Sequence, residues 1–379
     1  MRLNKHILGL LFGTLICCFC YGQNSISDAD QFYNLGNFSK ALEIYQSFNN
    51  DIHLFKIAKC YQRLGRYDQA LEYFKKAYEL EPQNQLVTYE FAKQLYTSNE
   101  FVKAKAYFET LSTQDSLNPN FHYQLVLTKV LLKDSTAIDS CKKAYKLDDT
   151  HQKSIIKLAK HYLIKRKHKT SLIFIDTGLE SYPKNKSLIS LKAQNFYYQK
   201  AYREAIKWFE QLLELNEQSE FIYEKLSISY QMHFDYKNAL KYRLLALKYN
   251  PNDATTLYVI GKLYFELKDY VNAELYVSKA LTLLDRPLDG EYFLLGKTFN
   301  GQQKYNEALK TYQKALKENP DNFFVQFAIV GTKDNYYKDI NKRIEVYENF
   351  IKTYPKNPML RFAEKRLKEL KQEEFLKRD

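Results

Sequence analysis

The sequence predicts an all-α protein built from repeated helix-turn-helix units, and three regularities of the chain support this fold class. A small residue, or a replacement for one, recurs at the same point of a helical pattern. The first two such positions are 29 residues apart, and each later one follows after 33 to 35 residues. An aromatic residue usually stands three positions before it. All eight prolines fall between the units, because proline costs about 3 kcal/mol in a helix interior. A period of about 34 residues with helical chemistry is typical of a solenoid of stacked helix pairs.

The periodic positions are Ala41, Ala70, Ala104, Ala137, Ser171, Ala205, Ala239, Ala273, Ala308 and Arg343. A small side chain lets two helices approach closely, and the aromatic ring fills the space beside the turn. Apolar residues recur at intervals of three and four, and no sustained alternation of polar and apolar residues predicts a strand. Asp253 and Asp321 follow prolines and stand where helix N-caps are expected.

Residues 51–84 carry the clearest unit. Its first helix has large, aliphatic, small and aromatic residues, and its second has small, aromatic and small residues before a proline. These residues are Leu54, Ile57, Ala58 and Tyr61, then Ala70, Phe74, Ala77 and Pro82. The order resembles the tetratricopeptide repeat, as do residues 254–287 and 288–321. The resemblance covers roughly residues 29–357 and implies a right-handed α-solenoid of about ten repeats, each with a helix A and a helix B.

Two units depart from this pattern. The turn at residues 133–136 has neither a glycine nor an aromatic residue. In the last unit Arg343 replaces the small residue of helix B. Val330 and Gly331 are only a fair match for the adjacent aliphatic and small residues of helix A, which are Ile57 and Ala58 in the clearest unit. We expect looser packing or an altered helix angle at both places.

The two ends of the chain differ from the repeats. Arg2 and Lys5 precede an apolar run, and Gly22 closes a segment typical of a secretory signal peptide that is cleaved near this point. The run is shorter than the roughly 20 residues of a membrane-spanning helix. An uncleaved anchor, or a lipid on Cys17, Cys18 or Cys20, is the alternative. The predicted segments are 1–22 as signal peptide, 23–357 as solenoid and 358–379 as a C-terminal capping helix. The expected location is therefore periplasmic, secreted or otherwise associated with the cell envelope.

The sequence offers little for catalysis. It has no glycine-rich phosphate loop, no cysteine pair with zinc-ligand spacing and no nucleophile with a credible acid-base partner. His168 occupies the position of a turn aromatic, which favours a structural role over metal binding. Cys60 and Cys141 lie more than two units apart and are expected to be buried free thiols. We therefore predict a protein that is not an enzyme and has no cofactor and no metal site.

Lysines recur at one position of helix A. In the family that the chain resembles, helix A lines an inner groove, and the ninth position of this helix is here Lys59, Lys93, Lys160, Lys262 and Lys297. Neighbouring groove positions hold Phe55, Lys56, Tyr89, Lys157, Tyr197, Tyr258 and Phe293. Lysines would attract an acidic segment, and aromatic rings would supply buried area. We predict that this basic, aromatic groove binds an acidic peptide or protein partner.

The net charge of +13 is compatible with more than one class of partner. The leading prediction is a non-enzymatic protein–protein interaction scaffold of the cell envelope or exterior. One alternative is a nucleic-acid-binding helical-repeat protein, although export would separate the chain from most nucleic acid. The other alternative is an envelope assembly factor that is anchored by a lipid.

Overall fold

The computed structural model describes residues 25–48, 51–284 and 288–376. In these ranges the chain forms 21 α-helices and one short 3-10 helix, Asp51–His53, and no β-strand. The helices are α1 (Ile26–Asn34), α2 (Phe38–Ser47), α3 (Leu54–Arg63), α4 (Tyr67–Leu80), α5 (Gln85–Thr97), α6 (Phe101–Gln114), α7 (Pro119–Leu131), α8 (Ala137–Leu147), α9 (Gln152–Ile164), α10 (His168–Ser181), α11 (Lys186–Tyr198), α12 (Tyr202–Glu214), α13 (Glu220–Met232), α14 (Tyr236–Leu247), α15 (Ala254–Glu266), α16 (Tyr270–Leu281), α17 (Asp289–Gly301), α18 (Tyr305–Glu318), α19 (Phe323–Tyr336), α20 (Ile340–Thr353) and α21 (Leu360–Leu376). The predicted all-α class is confirmed over the described residues.

The helices alternate between the two roles of a helix-turn-helix repeat. Odd-numbered helices from α1 to α19 are A helices, each is followed by its B helix, and α21 follows the last pair. The chain divides into two compact units. Unit 1 runs to Lys165 and includes Asp176–Ser181, whereas unit 2 comprises Arg166–Ile175 and the chain from Tyr182. Within each unit an A helix packs on its own B helix, and that B helix packs on the next A helix.

The periodic small residues lie in the core. Nine of the ten are buried, and only Arg343 is partly exposed. In unit 1, for example, Ala58 of α3 and Ala70 of α4 share a core cluster with the fully buried ring of Phe74. The spacing of the small residues therefore reports the contact between the helices of each pair.

The turn between A and B helices places one residue in the left-handed region of the backbone. Gly36 and Gly65 have φ values of 80° and 73° there. Later turns use Asn99, Lys133, Arg166, Lys200, Phe234, Lys268 and Gln303, with φ between 55° and 63°. A residue with a Cβ pays roughly 1–2 kcal/mol for this conformation. The turn geometry is thus retained through most of the chain without glycine.

Two predicted helix caps have different outcomes. The Asp253 carboxylate accepts a hydrogen bond from the backbone N–H of Thr256 at 2.7 Å, as expected of an N-cap. Asp321 is not the cap of α19, because Asn322 takes that place and accepts from the N–H of Val325 at 3.2 Å. The Asn322 amide also donates to the carboxylate of Asp289 at 2.8 Å. A carboxylate could not donate this second bond, so the asparagine satisfies both requirements.

An ion-pair cluster takes the place of the small-residue contact in the last repeat. Arg343 Nε donates to Asp334 Oδ1 at 2.5 Å. The other carboxylate oxygen accepts from Arg366 Nε of α21 at 3.2 Å and from the Tyr347 hydroxyl at 3.0 Å. Burial opposes the charge on Asp334, but these hydrogen bonds hold its pKa below the usual value. A pocket of about 460 Å³ opens beside the cluster, between α19 and α20.

The last helix, α21, packs against α20 through two buried residues, Ala363 and Leu370. None of the helices in the described part of the chain is both long and apolar enough to cross a bilayer. The predicted signal peptide, residues 1–22, lies outside the described residues. Cys60 and Cys141 are buried and free, and burial raises the pKa of each thiol to about 11.

Candidate interaction surface

The A helices of unit 1 carry seven of the residues predicted to form the groove, and the structure pairs three of the lysines with acids. Lys59 Nζ lies 3.2 Å from Glu90 Oε2, and Lys93 Nζ lies 3.4 Å from Glu90 Oε1. Glu90 is buried between them on α5. Lys59 and Lys93 are therefore brought together by a shared carboxylate, which cancels about one of their two charges.

Lys56 is also paired. Its Nζ lies 2.6 Å and 2.9 Å from the two carboxylate oxygens of Asp30 on α1 and stands 5.4 Å from the centre of the Tyr45 ring. The Tyr45 hydroxyl donates to the same carboxylate. Hydrogen bonds from Lys56 and Tyr45 lower the pKa of Asp30, so this acid is charged near neutral pH. Lys56 thus ties the first two repeats together and adds little net charge to the surface.

The predicted aromatic residues of unit 1 are partly buried. Phe55 packs edge-on against the core ring of Phe74, with ring centres 5.8 Å apart. Tyr89 contacts the rings of Phe108 and Phe121 at 6.1 and 5.7 Å, and its hydroxyl accepts from the side-chain amide of Gln124 at 3.1 Å. Phe55 therefore packs on the B helix of its own repeat, Tyr89 also contacts the next A helix, and only part of each ring reaches solvent.

Lys157 and Lys160 have a different environment. No carboxylate of the described residues lies within ion-pair distance of either ammonium group. Both line a pocket of about 380 Å³ on α7, α8 and α9, and the rest of its lining is mainly aliphatic. The aliphatic lining residues are Val126, Val130, Ala137, Ile138 and Ile164. In unit 1 this pocket is the place where predicted groove lysines that form no ion pair meet a mainly aliphatic lining, which also includes Asp134, Ser135 and His161.

In unit 2 the most enclosed of the predicted lysines is Lys297 of α17. Its Nζ lies 4.4 Å from the ring centre of Phe265 and 5.7 Å from that of Phe293, distances typical of cation–π contacts. Burial lowers the pKa of Lys297, against the attraction of Glu266 and with a smaller contribution from the charge of Lys262. Lys262 itself is exposed, and among the described residues no carboxylate forms an ion pair with it or with Lys297.

The remaining predicted rings of unit 2 are half-buried. Tyr258 packs on the core of Val277, Leu294 and Leu295. Tyr197 lies beneath Lys225, with Nζ 4.8 Å from the ring centre. The ammonium–ring contacts of Lys225 with Tyr197 and of Lys297 with Phe265 thus join neighbouring A helices.

Sequence reasoning missed the acids that pair with the predicted lysines. Glu90 stands three residues before Lys93, a spacing that brings side chains together on a helix, so this pair has a local signal. The pairing of Lys56 with Asp30 joins different helices, and no spacing rule marks it in the sequence. Among the described residues, no group of histidine, cysteine, aspartate and glutamate side chains is arranged to hold a metal ion.

Comparison with known proteins identifies the repeat. Tetratricopeptide-repeat family models match residues 61–126, 254–283 and 291–322. A TPR repeat-containing protein of Methanocaldococcus jannaschii is 27% identical over 58% of this chain and 39% of its own length. The chain thus spans about two fifths of that relative. Among solved structures, YrrB, described as a TPR protein with an unusual peptide-binding site, is 19% identical over 50% of this chain and 98% of its own, with a TM-score of 0.47. The MamA protein is 16% identical over 50% of this chain and 96% of its own, with a TM-score of 0.41.

The matched stretches coincide with helices that the structure pairs. Residues 61–126 take in the pair α5 and α6, and residues 254–283 and 291–322 cover α15 with α16 and most of α17 with α18. These stretches are therefore tetratricopeptide repeats, and the same helical unit recurs between and beyond them.

Proposed function

We propose that the protein is a non-enzymatic scaffold that binds an acidic segment of a partner protein along its A helices. Tetratricopeptide-repeat proteins generally bind proteins or peptides, and the repeats take up most of this chain. The observation that carries the acidic preference is the presence of A-helix lysines without acidic partners. These are Lys157 and Lys160 in unit 1 and Lys262 and Lys297 in unit 2.

Charge and apolar surface contribute to binding in different ways. Lysines that form no ion pair attract an acidic chain over a distance of about 10 Å at moderate salt and so raise the association rate. Apolar surface next to the same lysines keeps the bound segment in place, because buried anchors decide the dissociation rate. Lys59 and Lys93 contribute less to attraction than the sequence suggests, since Glu90 already lies between them.

The test is a selection of short random peptides on the purified protein. Enriched peptides should contain an excess of aspartate and glutamate together with a large apolar residue. Their binding should weaken as salt rises from about 50 mM to about 500 mM. Enrichment of neutral or basic peptides, or binding that does not respond to salt, would contradict the proposal. Tighter, salt-sensitive binding of single-stranded RNA would favour the nucleic-acid alternative instead.

We also propose that the protein works in the cell envelope or outside the cell. The basic, apolar and small-residue order of residues 1–22 supports this location. N-terminal sequencing of the protein from its native host tests it, with a new N-terminus near Gln23 as the expected result. An intact Met1 in a soluble internal fraction would contradict export, and a lipid on Cys17, Cys18 or Cys20 would favour the anchored alternative.

A further inference from the structure

The pocket on α7, α8 and α9, named here the α7–α9 pocket, arises where the repeat lacks a turn aromatic. In the repeat of α15 and α16, Tyr270 stands three residues before the small residue and its ring packs against Gly301 on the next A helix. The equivalent position before Ala137 is Asp134. No ring is available there to cover the next A helix, α9.

The uncovered residue on α9 is Ile164. It occupies the same repeat position as Gly301, four residues after the lysine at the ninth position. Its side chain is 69% exposed, and Val130 on α7 is 46% exposed. Two exposed branched side chains at the edge of one pocket are costly to leave in water. The turn at residues 133–136 therefore leaves open a depression at the position that Tyr270 covers in the repeat of α15 and α16.

The charge balance at the pocket is positive. Asp134 does not offset the lysines, because it already binds Lys105 Nζ at 2.9 Å and the hydroxyl and N–H of Thr136 at 2.7 and 2.9 Å. Lys157 and Lys160 carry no such partner. The mouth thus presents two ammonium groups beside aliphatic walls, which is the combination that suits an apolar side chain with a carboxylate next to it.

We infer that the α7–α9 pocket holds a large aliphatic side chain from an internal acidic segment of the partner, with an aspartate or glutamate beside it facing Lys157 and Lys160. This inference rests on the proposed function and names its anchor. A volume of about 380 Å³ is near the lower end of the roughly 300–1,000 Å³ that is usual for ligand pockets. It suits a short anchor of one or two side chains.

A direct test uses defined peptides and methyl NMR. Acetyl-Leu-Glu-Glu-amide should shift the methyl signals of Val126, Val130, Ile138 and Ile164 in a saturable way. Acetyl-Ala-Glu-Glu-amide and acetyl-Leu-Gln-Gln-amide should each bind at least about tenfold more weakly, because each lacks one of the two required groups. Equal binding of all three peptides, or shifts confined to other parts of the protein, would overturn the inference. Stronger binding of acetyl-Gly-Gly-Leu with a free carboxylate would overturn the choice of an internal segment.

Three variants extend the test to a peptide obtained by the random selection. Asp134→Tyr restores the missing ring and should reduce affinity at least about tenfold. Because this change also breaks the pair with Lys105, Ile164→Ala provides a milder variant that should reduce affinity about threefold to tenfold. Leu275→Ala is the matched control, since Leu275 is a 60% exposed aliphatic residue on the B helix α16, and it should leave affinity unchanged.

The outcomes separate the two proposals. If the selected peptide is acidic and binds in a salt-sensitive way, yet Asp134→Tyr and Ile164→Ala bind it as the unmodified protein does, the pocket is not the anchor although the scaffold function stands. If no acidic peptide is enriched, the proposed function fails. The tripeptide titration then decides the chemistry of the pocket on its own.

Discussion

Three glycines on consecutive A helices of unit 2 give a prediction in which the same substitution has opposite effects. Gly261, Gly296 and Gly331 stand at equal steps of 35 residues. A Cβ at Gly261 would lie 2.5 Å from Val277 Cγ2 and 3.1 Å from the backbone nitrogen of the same residue. A Cβ at Gly331 would have no neighbour within 4 Å. The last repeat thus has open space where the others have a close contact.

Helix propensity and overpacking oppose each other in Gly261→Ala, whereas only helix propensity acts in Gly331→Ala. Alanine stabilises a helix interior by about 1 kcal/mol relative to glycine. Overpacking a tight contact costs about 1–3 kcal/mol, and the Val277 backbone cannot rotate away. Gly261→Ala should therefore destabilise its repeat by up to about 2 kcal/mol, whereas Gly331→Ala should stabilise its repeat by about 0.5–1 kcal/mol.

The assay must resolve individual repeats, because long repeat arrays do not unfold as a single two-state unit. Hydrogen exchange followed by mass spectrometry gives the opening free energy of peptides from α15–α16 and α19–α20. A difference of about 2 kcal/mol between the variants corresponds to roughly 30-fold in exchange rate. The same sign for both substitutions would refute the close approach of α15 and α16 and the looser packing of α19.

Other predictions concern the turns, the core and the C-terminal ion pairs. Phe234→Gly should raise thermal stability by about 1 kcal/mol, because Phe234 has φ of 63° and is 78% exposed, whereas Gly65→Ala at φ of 73° should lower it. Ala239→Trp should be severely destabilising in thermal denaturation, since Ala239 is fully buried, and wild-type stability would show that the repeat phase is wrong. Asp334→Asn should cost the region of α19–α21 about 1–3 kcal/mol at neutral pH by hydrogen exchange. The lowered pKa of Asp334 means that its contribution is present above the ordinary carboxyl value and lost as pH falls through the folded value, so the variant and the unmodified protein should converge in acid. The exposed pair of Glu348 with Lys371 supplies the control, and Glu348→Gln should cost at most about 1 kcal/mol.

The fold could be predicted because its requirements are repeated along the chain. A small residue in helix B is needed wherever two helices touch, and Ala239 and Ala273 are both fully buried as this rule demands. The sequence prediction places the cap of α19 one residue too early, because Asp321 and Asn322 are equally good caps on local grounds. The bond from Asn322 to Asp289 decides between them, and it joins residues of different repeats.

The candidate surface was less predictable because contacts between residues of different helices also decide its charge. Position on helix A identified the lysines, but their usable charge depends on neighbours contributed by other helices. Glu90 partly cancels the charge of Lys59, a residue of the preceding A helix. The half-buried state of Lys297 depends on Phe265, also from the preceding A helix. The pocket beside Ile164 exists because position 134 holds an aspartate and not an aromatic residue. No residue pattern on α9 itself therefore marks the pocket.

We propose that A-helix lysines that form no ion pair attract the partner, and a matched pair of charge reversals tests this claim. One variant carries Lys157→Glu and Lys160→Glu on α9, and the other carries Lys143→Glu and Lys310→Glu at exposed positions on the B helices α8 and α18. Both lower the net charge equally. The measurement is the association rate of a selected acidic peptide at low salt. The rate should be at least about tenfold lower for the A-helix variant and should change much less for the B-helix variant. Equal slowing in both variants would show that net charge alone governs binding and would contradict the claim.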